Sequence, residues 1–100
     1  MKILFICNQG QNRSKTAEFL FKDKYETKSA GIYENIVTRQ QIEWADIIIV
    51  MEEEQKEFIE ERFPRINKNI INLDIRDVYY FNQPDLKEML KIKFGQLKEF

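Results

Sequence analysis

Apolar positions along the chain fall into short continuous runs separated by stretches with a helical period. Ile3 to Ile6 is apolar throughout, which is typical of a strand buried on both faces, and Ile47 to Val50 gives the strongest strand signal. Residues 25–30 and the run from Ile70 to Leu73 predict two further strands. The pattern therefore predicts four short strands spread over most of the chain.

Helical patterns occupy the segments between and after these strands. Ser14 is the predicted N-cap of a first helix, and Thr38 is that of a short second helix. An acidic third helix is expected to end before Pro64, and Pro84 is well placed to begin a fourth. Strands that alternate with helices imply a parallel sheet covered on both faces. We expect a small doubly wound α/β domain with three α/β/α layers and a four-stranded parallel sheet.

Length and composition agree with a single domain over residues 1–100. Of these 100 residues, 43% are hydrophobic and 33% are charged, and only three are glycine and two are proline. A chain of this size buries roughly 60–70% of the surface that it exposes when unfolded. No linker rich in proline, glycine and serine divides the sequence, so one compact unit is expected.

The scarcest residues restrict the chemistry most. The chain has no histidine, which excludes a histidine general base, a Ser-His-Asp or Cys-His nucleophile pair and a histidine metal site. Its single cysteine excludes an internal disulfide, a Cys-x-x-Cys redox pair and a cysteine-rich zinc site. Any catalysis must use the thiol, carboxylates, arginine, lysine, tyrosine or the backbone, and we expect neither a metal nor a cofactor.

The net charge and the pattern of the first residues indicate which partners and which cellular location to expect. A net charge of −1 argues against nucleic-acid binding by phosphate neutralisation. The apolar run that begins at Ile3 is too short for a signal sequence or a membrane span, so we expect a cytoplasmic protein that does not bind membranes. Residues 52–61 hold six glutamates, which favour a solvated helix face, with a docking site for a basic partner as the alternative. The oligomeric state is left open.

The loop after the first strand holds the most informative residues. Cys7 directly follows the strand, and Arg13 and Ser14 come at the expected helix start, giving the spacing Cys-x5-Arg-Ser. A loop that leads back to the N-terminus of a helix aims several N–H groups at one point. Gly10 allows a close approach of the backbone or a positive φ. The predicted phosphate-binding residues are Asn8, Gln9, Gly10, Gln11, Asn12 and Arg13.

The same surroundings suit a nucleophilic thiol. The helix N-terminus and Arg13 stabilise the thiolate form of Cys7, and the Ser14 hydroxyl can donate to the sulfur. The expected chemistry is in-line attack of Cys7 on a phosphate monoester, giving a cysteinyl-phosphate that water hydrolyses. The alternative is that Cys7 is an ordinary buried thiol and Arg13 a surface residue.

These residues resemble the low-molecular-weight protein tyrosine phosphatase family, whose phosphate loop follows the first strand as Cys-x5-Arg-Ser. Ser14 to Ala17 is similar to the family's helix start, and Ser29-Ala30-Gly31 matches its Ser-Ala-Gly turn. Trp44 to Met51 resembles its Ala-Asp strand that ends in methionine. The chain is most similar to a short predicted-phosphatase branch of about this length. The resemblance implies the family's fold and a protein tyrosine phosphatase activity.

The resemblance also implies a general acid. The family's acid is an aspartate in an Asp-Pro-Tyr segment near the C-terminus, and Asp77 followed by Tyr79 and Tyr80 is the closest match. Asp77 would protonate the leaving oxygen and then deprotonate the attacking water. Asp74 is the competing candidate. Tyr79 and Tyr80 would form an aromatic wall against a phosphotyrosine ring, although one of them can instead belong to the core.

Three positions depart from the family pattern. Gly10 stands where the family has an asparagine that braces the loop, and Asn12 replaces its second loop cysteine. Val78 replaces the proline after the acid, which leaves the acid loop less rigid. These changes bear on substrate class and rate more than on phosphate binding.

The expected substrate is a phosphorylated protein or a small phosphate ester. Two other function classes stay open: a phosphate- or phosphopeptide-binding module with degraded catalysis, and a cysteine phosphocarrier similar to the IIB type of sugar transport. Arg13 and Asp77 favour hydrolysis over stable phosphate transfer. Arsenate reduction, another use of this fold, needs additional cysteines that the chain lacks.

Overall fold

A four-stranded parallel sheet forms the centre of the fold in the computed structural model, which describes residues 1–97; the last three residues of the predicted domain lie outside. In chain order the strands are β1 (Lys2–Ile6), β2 (Glu26–Ala30), β3 (Ile47–Val50) and β4 (Asn69–Asn72). They lie side by side in the order β2-β1-β3-β4, with every neighbouring pair parallel. The predicted sheet is confirmed, with β4 placed one residue earlier than the apolar run suggested.

Four helices cover the two faces of the sheet. They are α1 (Arg13–Phe21), α2 (Arg39–Trp44), α3 (Glu53–Arg62) and α4 (Pro84–Gly95). One face packs against Ala17 of α1 and Leu86 of α4, and the other packs against Ile42 of α2 and Ile59 of α3. Because each face has its own hydrophobic cluster, the predicted doubly wound, three-layer architecture is confirmed.

The predicted helix caps are right in one case and wrong in another. The Thr38 hydroxyl accepts a hydrogen bond from the Gln41 N–H, and the Gln41 side chain accepts from the Thr38 N–H, a complete capping box at the start of α2. Ser14 does not cap α1: the N-cap is Asn12 and the helix begins at Arg13. Ser14 therefore lies inside the first turn, fully buried, where its hydroxyl reaches the sulfur of Cys7.

The strand order determines where a site can form. From β1 the chain crosses to β2 on one side and then returns past β1 to β3 on the other. The loops after β1 and β3 therefore diverge at the carboxyl edge of the sheet, which is where open α/β sheets bind ligands. Cys7 follows β1 and Met51 follows β3 at this edge. Among residues 1–97, no helix has both the length and the apolar character needed to cross a membrane.

Candidate active site

The Cys7 thiol is buried at the end of β1 and has two polar neighbours. Its Sγ lies 3.0 Å from the Ser14 Oγ, and the backbone N–H of Gly10 donates to it at 3.3 Å. The Ser14 hydroxyl is also within 3.3 Å of the Ala30 carbonyl oxygen. The end of β1, the first turn of α1 and the loop between them therefore meet at the sulfur.

Glycines bring the loop after β1 into direct contact with the turn after β2. Gly10 has a φ of +68°, and a Cβ there would lie 2.8 Å from the backbone carbon of Ala30. A Cβ on Gly31 would lie 2.2 Å from the carbonyl oxygen of Glu34 and 2.7 Å from the Gly10 nitrogen. Two backbones that approach this closely leave no room for side chains. The Ser29-Ala30-Gly31 turn therefore supports the loop through its backbone.

Arg13 is buried and only partly satisfied by the protein. Its Nη1 donates to Glu52 Oε1 and to the Ile75 carbonyl oxygen, both at 2.6 Å. Its Nε and Nη2 are buried and have no hydrogen-bond acceptor among the described residues. Buried donors without acceptors are rare because they lose their hydration without replacement. This side of the guanidinium is therefore available for an anion.

Asp77 lies over the same loop, although 64 residues of sequence separate it from Arg13. Its Oδ1 is 3.7 Å from the Arg13 Nε, and its Oδ2 accepts a hydrogen bond from the Asn8 amide at 3.4 Å. Half of the Asp77 side chain is exposed to solvent. Cys7 and Asp77 line one small cavity of about 10 Å³, together with Asn8, Gln9, Asn12 and Arg13.

The competing acid Asp74 lies elsewhere. Its side chain is exposed, its φ is +59°, and its N–H donates to the Asn72 side chain, which makes it a turn residue after β4. It does not line the cavity at Cys7. Of the two candidates, only Asp77 is brought to the loop.

The two tyrosines of the predicted aromatic wall and Gln11 of the loop after β1 lie apart from this cavity. Tyr79 packs against the hydrophobic cluster that includes Leu86, whereas Tyr80 is 68% exposed. Gln11 is exposed and its side-chain amide donates to Glu34. Neither tyrosine lines the cavity, so their role as a wall stays a prediction.

Two residues of the site, Gln55 and Glu52, were not found from the sequence. Gln55 is fully buried at the start of α3, where its Oε1 accepts from the Met51 N–H at 3.0 Å and the Glu52 N–H at 2.6 Å. Its Nε2 donates to the Asn8 Oδ1 at 2.7 Å. The available signal was the capping-box spacing of Glu52 and Gln55, hidden in a glutamate-rich segment.

The six glutamates of residues 52–61 consequently fall into two groups. The five later glutamates are exposed, as a solvated face requires, but the prediction is wrong for Glu52, which is two-thirds buried against Arg13. A carboxylate beside a buried guanidinium compensates its charge and holds its plane in one orientation. Glu52 therefore belongs to the site rather than to the solvated face.

A larger open groove adjoins the site. It has a volume of about 690 Å³, begins at Gly10 and Gln11, and includes the partly exposed apolar side chains of Phe19, Ile36 and Phe81. The Phe19 and Phe81 rings meet edge to face with centroids 5.7 Å apart. The groove also includes polar side chains such as Lys15 and Asn35, so a surface of mixed character adjoins the cavity at Cys7.

Comparison with known proteins identifies the fold. No family model matches the chain, and no curated protein matches it. Among solved structures, a low-molecular-weight protein tyrosine phosphatase from T. tengcongensis superimposes with a TM-score of 0.77 and 19% identity, covering 95% of this chain and 93% of that one.

Two other solved structures agree. A YwlE arginine phosphatase, a cysteine-to-serine variant with a phosphorylated active-site serine, matches with a TM-score of 0.75 and 22% identity over 99% of this chain and 97% of that one. The tyrosine phosphatase Wzb from Escherichia coli K30, in complex with phosphate, gives 0.73 and 18% over 94% and 93%. The predicted resemblance is confirmed at the level of fold: the chain has the fold of the low-molecular-weight protein tyrosine phosphatases.

Proposed function

We propose that this protein is a cysteine-dependent phosphatase that removes phosphate from proteins, with phosphotyrosine as its substrate. The observation that carries the proposal is the buried Arg13: in the part of the chain that the structure describes, its Nε and Nη2 have no hydrogen-bond acceptor, and they lie at the cavity that Cys7 lines. A tetrahedral phosphate supplies oxygens to both donors while its phosphorus faces the thiolate. The structural neighbours named above, which include tyrosine and arginine phosphatases, support the same chemistry.

The reaction proceeds in two displacements. The Cys7 thiolate attacks phosphorus in line, the bond from phosphorus to the leaving oxygen breaks, and that oxygen takes a proton from Asp77. Water then attacks the cysteinyl-phosphate while the Asp77 carboxylate accepts its proton, and the sulfur leaves as a thiolate that Ser14 stabilises. Arg13 holds the equatorial oxygens in both steps, where negative charge is greatest.

Substrate binding requires Asp77 to move outward. The cavity of about 10 Å³ is smaller than a phosphate group. The half-exposed Asp77 carboxylate lines this cavity and faces the Nε of Arg13. Asp77 lies on an exposed loop, so an outward shift leaves the buried loop after β1 in place. The shift moves the Asp77 Oδ1 away from the Arg13 Nε while its Oδ2 stays within reach of the Asn8 amide. The Oδ1 then lies on the side of the phosphate opposite the sulfur, where the leaving oxygen must be.

The test is hydrolysis of p-nitrophenyl phosphate by the purified chain and by Cys7→Ser. We expect turnover by the wild type and none above background by the variant, because a serine hydroxyl is a far weaker nucleophile than a thiolate. Rapid acid quench followed by peptide mass spectrometry should find phosphate on Cys7.

Other outcomes would replace this function with one of the alternatives. Phosphate binding without turnover would indicate a binding module, and a stable phosphocysteine formed only from a donor protein would indicate a carrier. A matched pair of phosphotyrosine and phosphoarginine peptides tests the substrate, and exclusive hydrolysis of the phosphoarginine peptide would contradict the assignment to tyrosine.

A further inference from the structure

We propose that Gln55 is a positioning residue for Asp77 that acts through Asn8; this inference rests on the proposed function. A continuous series of hydrogen bonds connects the end of β3 to Asp77 in the loop after β4. The Met51 and Glu52 N–H groups donate to the Gln55 Oε1, and the Gln55 Nε2 donates to the Asn8 Oδ1. The Asn8 Nδ2 then donates to the Asp77 Oδ2.

The order of donors and acceptors in this series of hydrogen bonds follows from the chemistry of an amide. A side-chain amide has one acceptor atom and one donor atom, so a Gln55 whose oxygen takes two N–H groups must present its nitrogen to Asn8. Asn8 must then turn its oxygen toward Gln55, which leaves its nitrogen facing Asp77. A flipped Asn8 would bring its oxygen against the carboxylate and leave the buried Gln55 donor unpaired. The backbone at the start of α3 therefore determines which atom meets the acid.

A second glutamine in the chain isolates what is special about Gln55. Gln41 occupies the same N3 position in the capping box of α2, where its Oε1 accepts from the Thr38 N–H at 2.9 Å. Gln55 makes the equivalent bond to the Glu52 N–H, but it is also fully buried and bridges to Asn8. Helix capping alone accounts for Gln41, whereas it leaves the Asn8 bridge unexplained.

The substitution Gln55→Glu reverses the bridge with little change in shape. One carboxylate oxygen still accepts the Met51 and Glu52 N–H groups, and a carboxylate near a helix N-terminus is favourable, so α3 is kept. The other oxygen can only accept, and Asn8 must flip to donate to it. Asp77 then faces the Asn8 oxygen and loses its donor. Gln41→Glu is the matched control.

The readout is the dependence of rate on the leaving group. A misplaced general acid slows the release of a weakly acidic phenol, but it matters little for nitrophenol, which leaves without a proton. We expect Gln55→Glu and Asn8→Ala to lower kcat/KM for phenyl phosphate about tenfold more than kcat/KM for p-nitrophenyl phosphate, the size of one charge-assisted hydrogen bond. Gln41→Glu should change neither. The ratio kcat/KM is the quantity to compare because it reports the first displacement and not the hydrolysis of the cysteinyl-phosphate, which is common to both esters.

An equal loss with both esters would assign Gln55 to the support of the phosphate loop and overturn the proposal. So would a further loss when Gln55→Glu is added to Asp77→Asn, because a residue that acts only through Asp77 has no effect once the acid is gone. A wild-type chain that hydrolyses neither ester would contradict the proposed function instead. In that case solvent exchange of the Asn8 side-chain amide protons, measured by NMR, still decides the bridge. The flip moves these protons from the half-exposed Asp77 carboxylate to the buried carboxylate at position 55, so their exchange should slow in Gln55→Glu and stay as it is in Gln41→Glu. Unchanged exchange in Gln55→Glu overturns the proposal.

Discussion

The loops after β1 and β4 both reach the candidate site, yet they are built in opposite ways. In the first loop Cys7, Gly10, Arg13 and Ser14 are all buried, and the Asn8 carbonyl oxygen accepts from two N–H groups of the turn after β2. The second loop is exposed at Asp77 and its neighbours on either side. Its start is held by Ile75, whose N–H donates to the Met51 carbonyl oxygen at 2.7 Å, and its end by Asn82, whose N–H donates to the Thr16 hydroxyl at 2.8 Å.

This difference separates two physical requirements of phosphate chemistry. Electrostatic stabilisation works best with donors that are already oriented, because they cost no reorganisation during the reaction. A general acid must let the substrate enter before it meets the leaving oxygen, and the cavity that Asp77 lines has a volume of only about 10 Å³. A buried loop after β1 and a loop after β4 that is exposed around Asp77 satisfy both requirements.

The largest effect is expected from removing the preorganised donors. Arg13→Lys replaces a planar fork by a single ammonium, which can keep a charge beside Glu52 but cannot serve two phosphate oxygens at once. We predict a fall in kcat/KM for p-nitrophenyl phosphate of about 10²–10³, the range found when a transition-state donor is removed. Steady-state kinetics with Arg76→Lys as the control measures this. A loss below tenfold would mean that the loop after β1 contributes little charge stabilisation.

A smaller effect is expected at the acid. Asp77→Asn keeps the shape of the side chain but removes the transferable proton, and we predict that kcat for phenyl phosphate falls about 10²-fold. Asp74→Asn, in the same loop but away from the cavity, should stay within about twofold of the wild type. Kinetics of the two variants side by side decides between them, and the reverse ranking would show that Asp74 is the acid.

The smallest effect concerns the stiffness of the loop after β4. The Val78 N–H has no backbone acceptor among the residues described, and Val78 is 62% exposed, so Val78→Pro removes no hydrogen bond. We predict a gain of about 0.4–1 kcal/mol in the free energy of unfolding, since proline restricts the unfolded chain. Urea denaturation measures the change.

The matched substitution is Tyr80→Pro in the same loop. The Tyr80 N–H donates to the Gln83 side chain at 3.2 Å, so this variant loses a bond and should be less stable than the wild type. Stabilisation by both prolines, or by neither, would show that the two positions do not differ as the hydrogen bonds indicate.

The sequence alone determined the fold class and the two central residues of the candidate site. Continuous apolar runs are set by burial of both strand faces, and helical spacing is set by the helix period, so both can be read locally at Ile47 to Val50 and in α4. Cys7 and Arg13 are also local, because one loop of fixed length joins them. The absence of histidine and the presence of one cysteine restricted the rest.

Only the tertiary structure decided which partners complete the site. Glu52 and Ile75 reach Arg13 because β3 and β4 lie beside β1 in this order and register, which no local pattern encodes. The same holds for Asp77, whose place over Cys7 depends on where the loop after β4 crosses the sheet edge. Ser14 was wrongly predicted as the N-cap of α1, because a hydroxyl that contacts a buried sulfur and one that caps a helix look alike in sequence, whereas its predicted contact with the Cys7 sulfur is present. The orientation of an amide such as that of Gln55 is set by the donors and acceptors that packing brings around it.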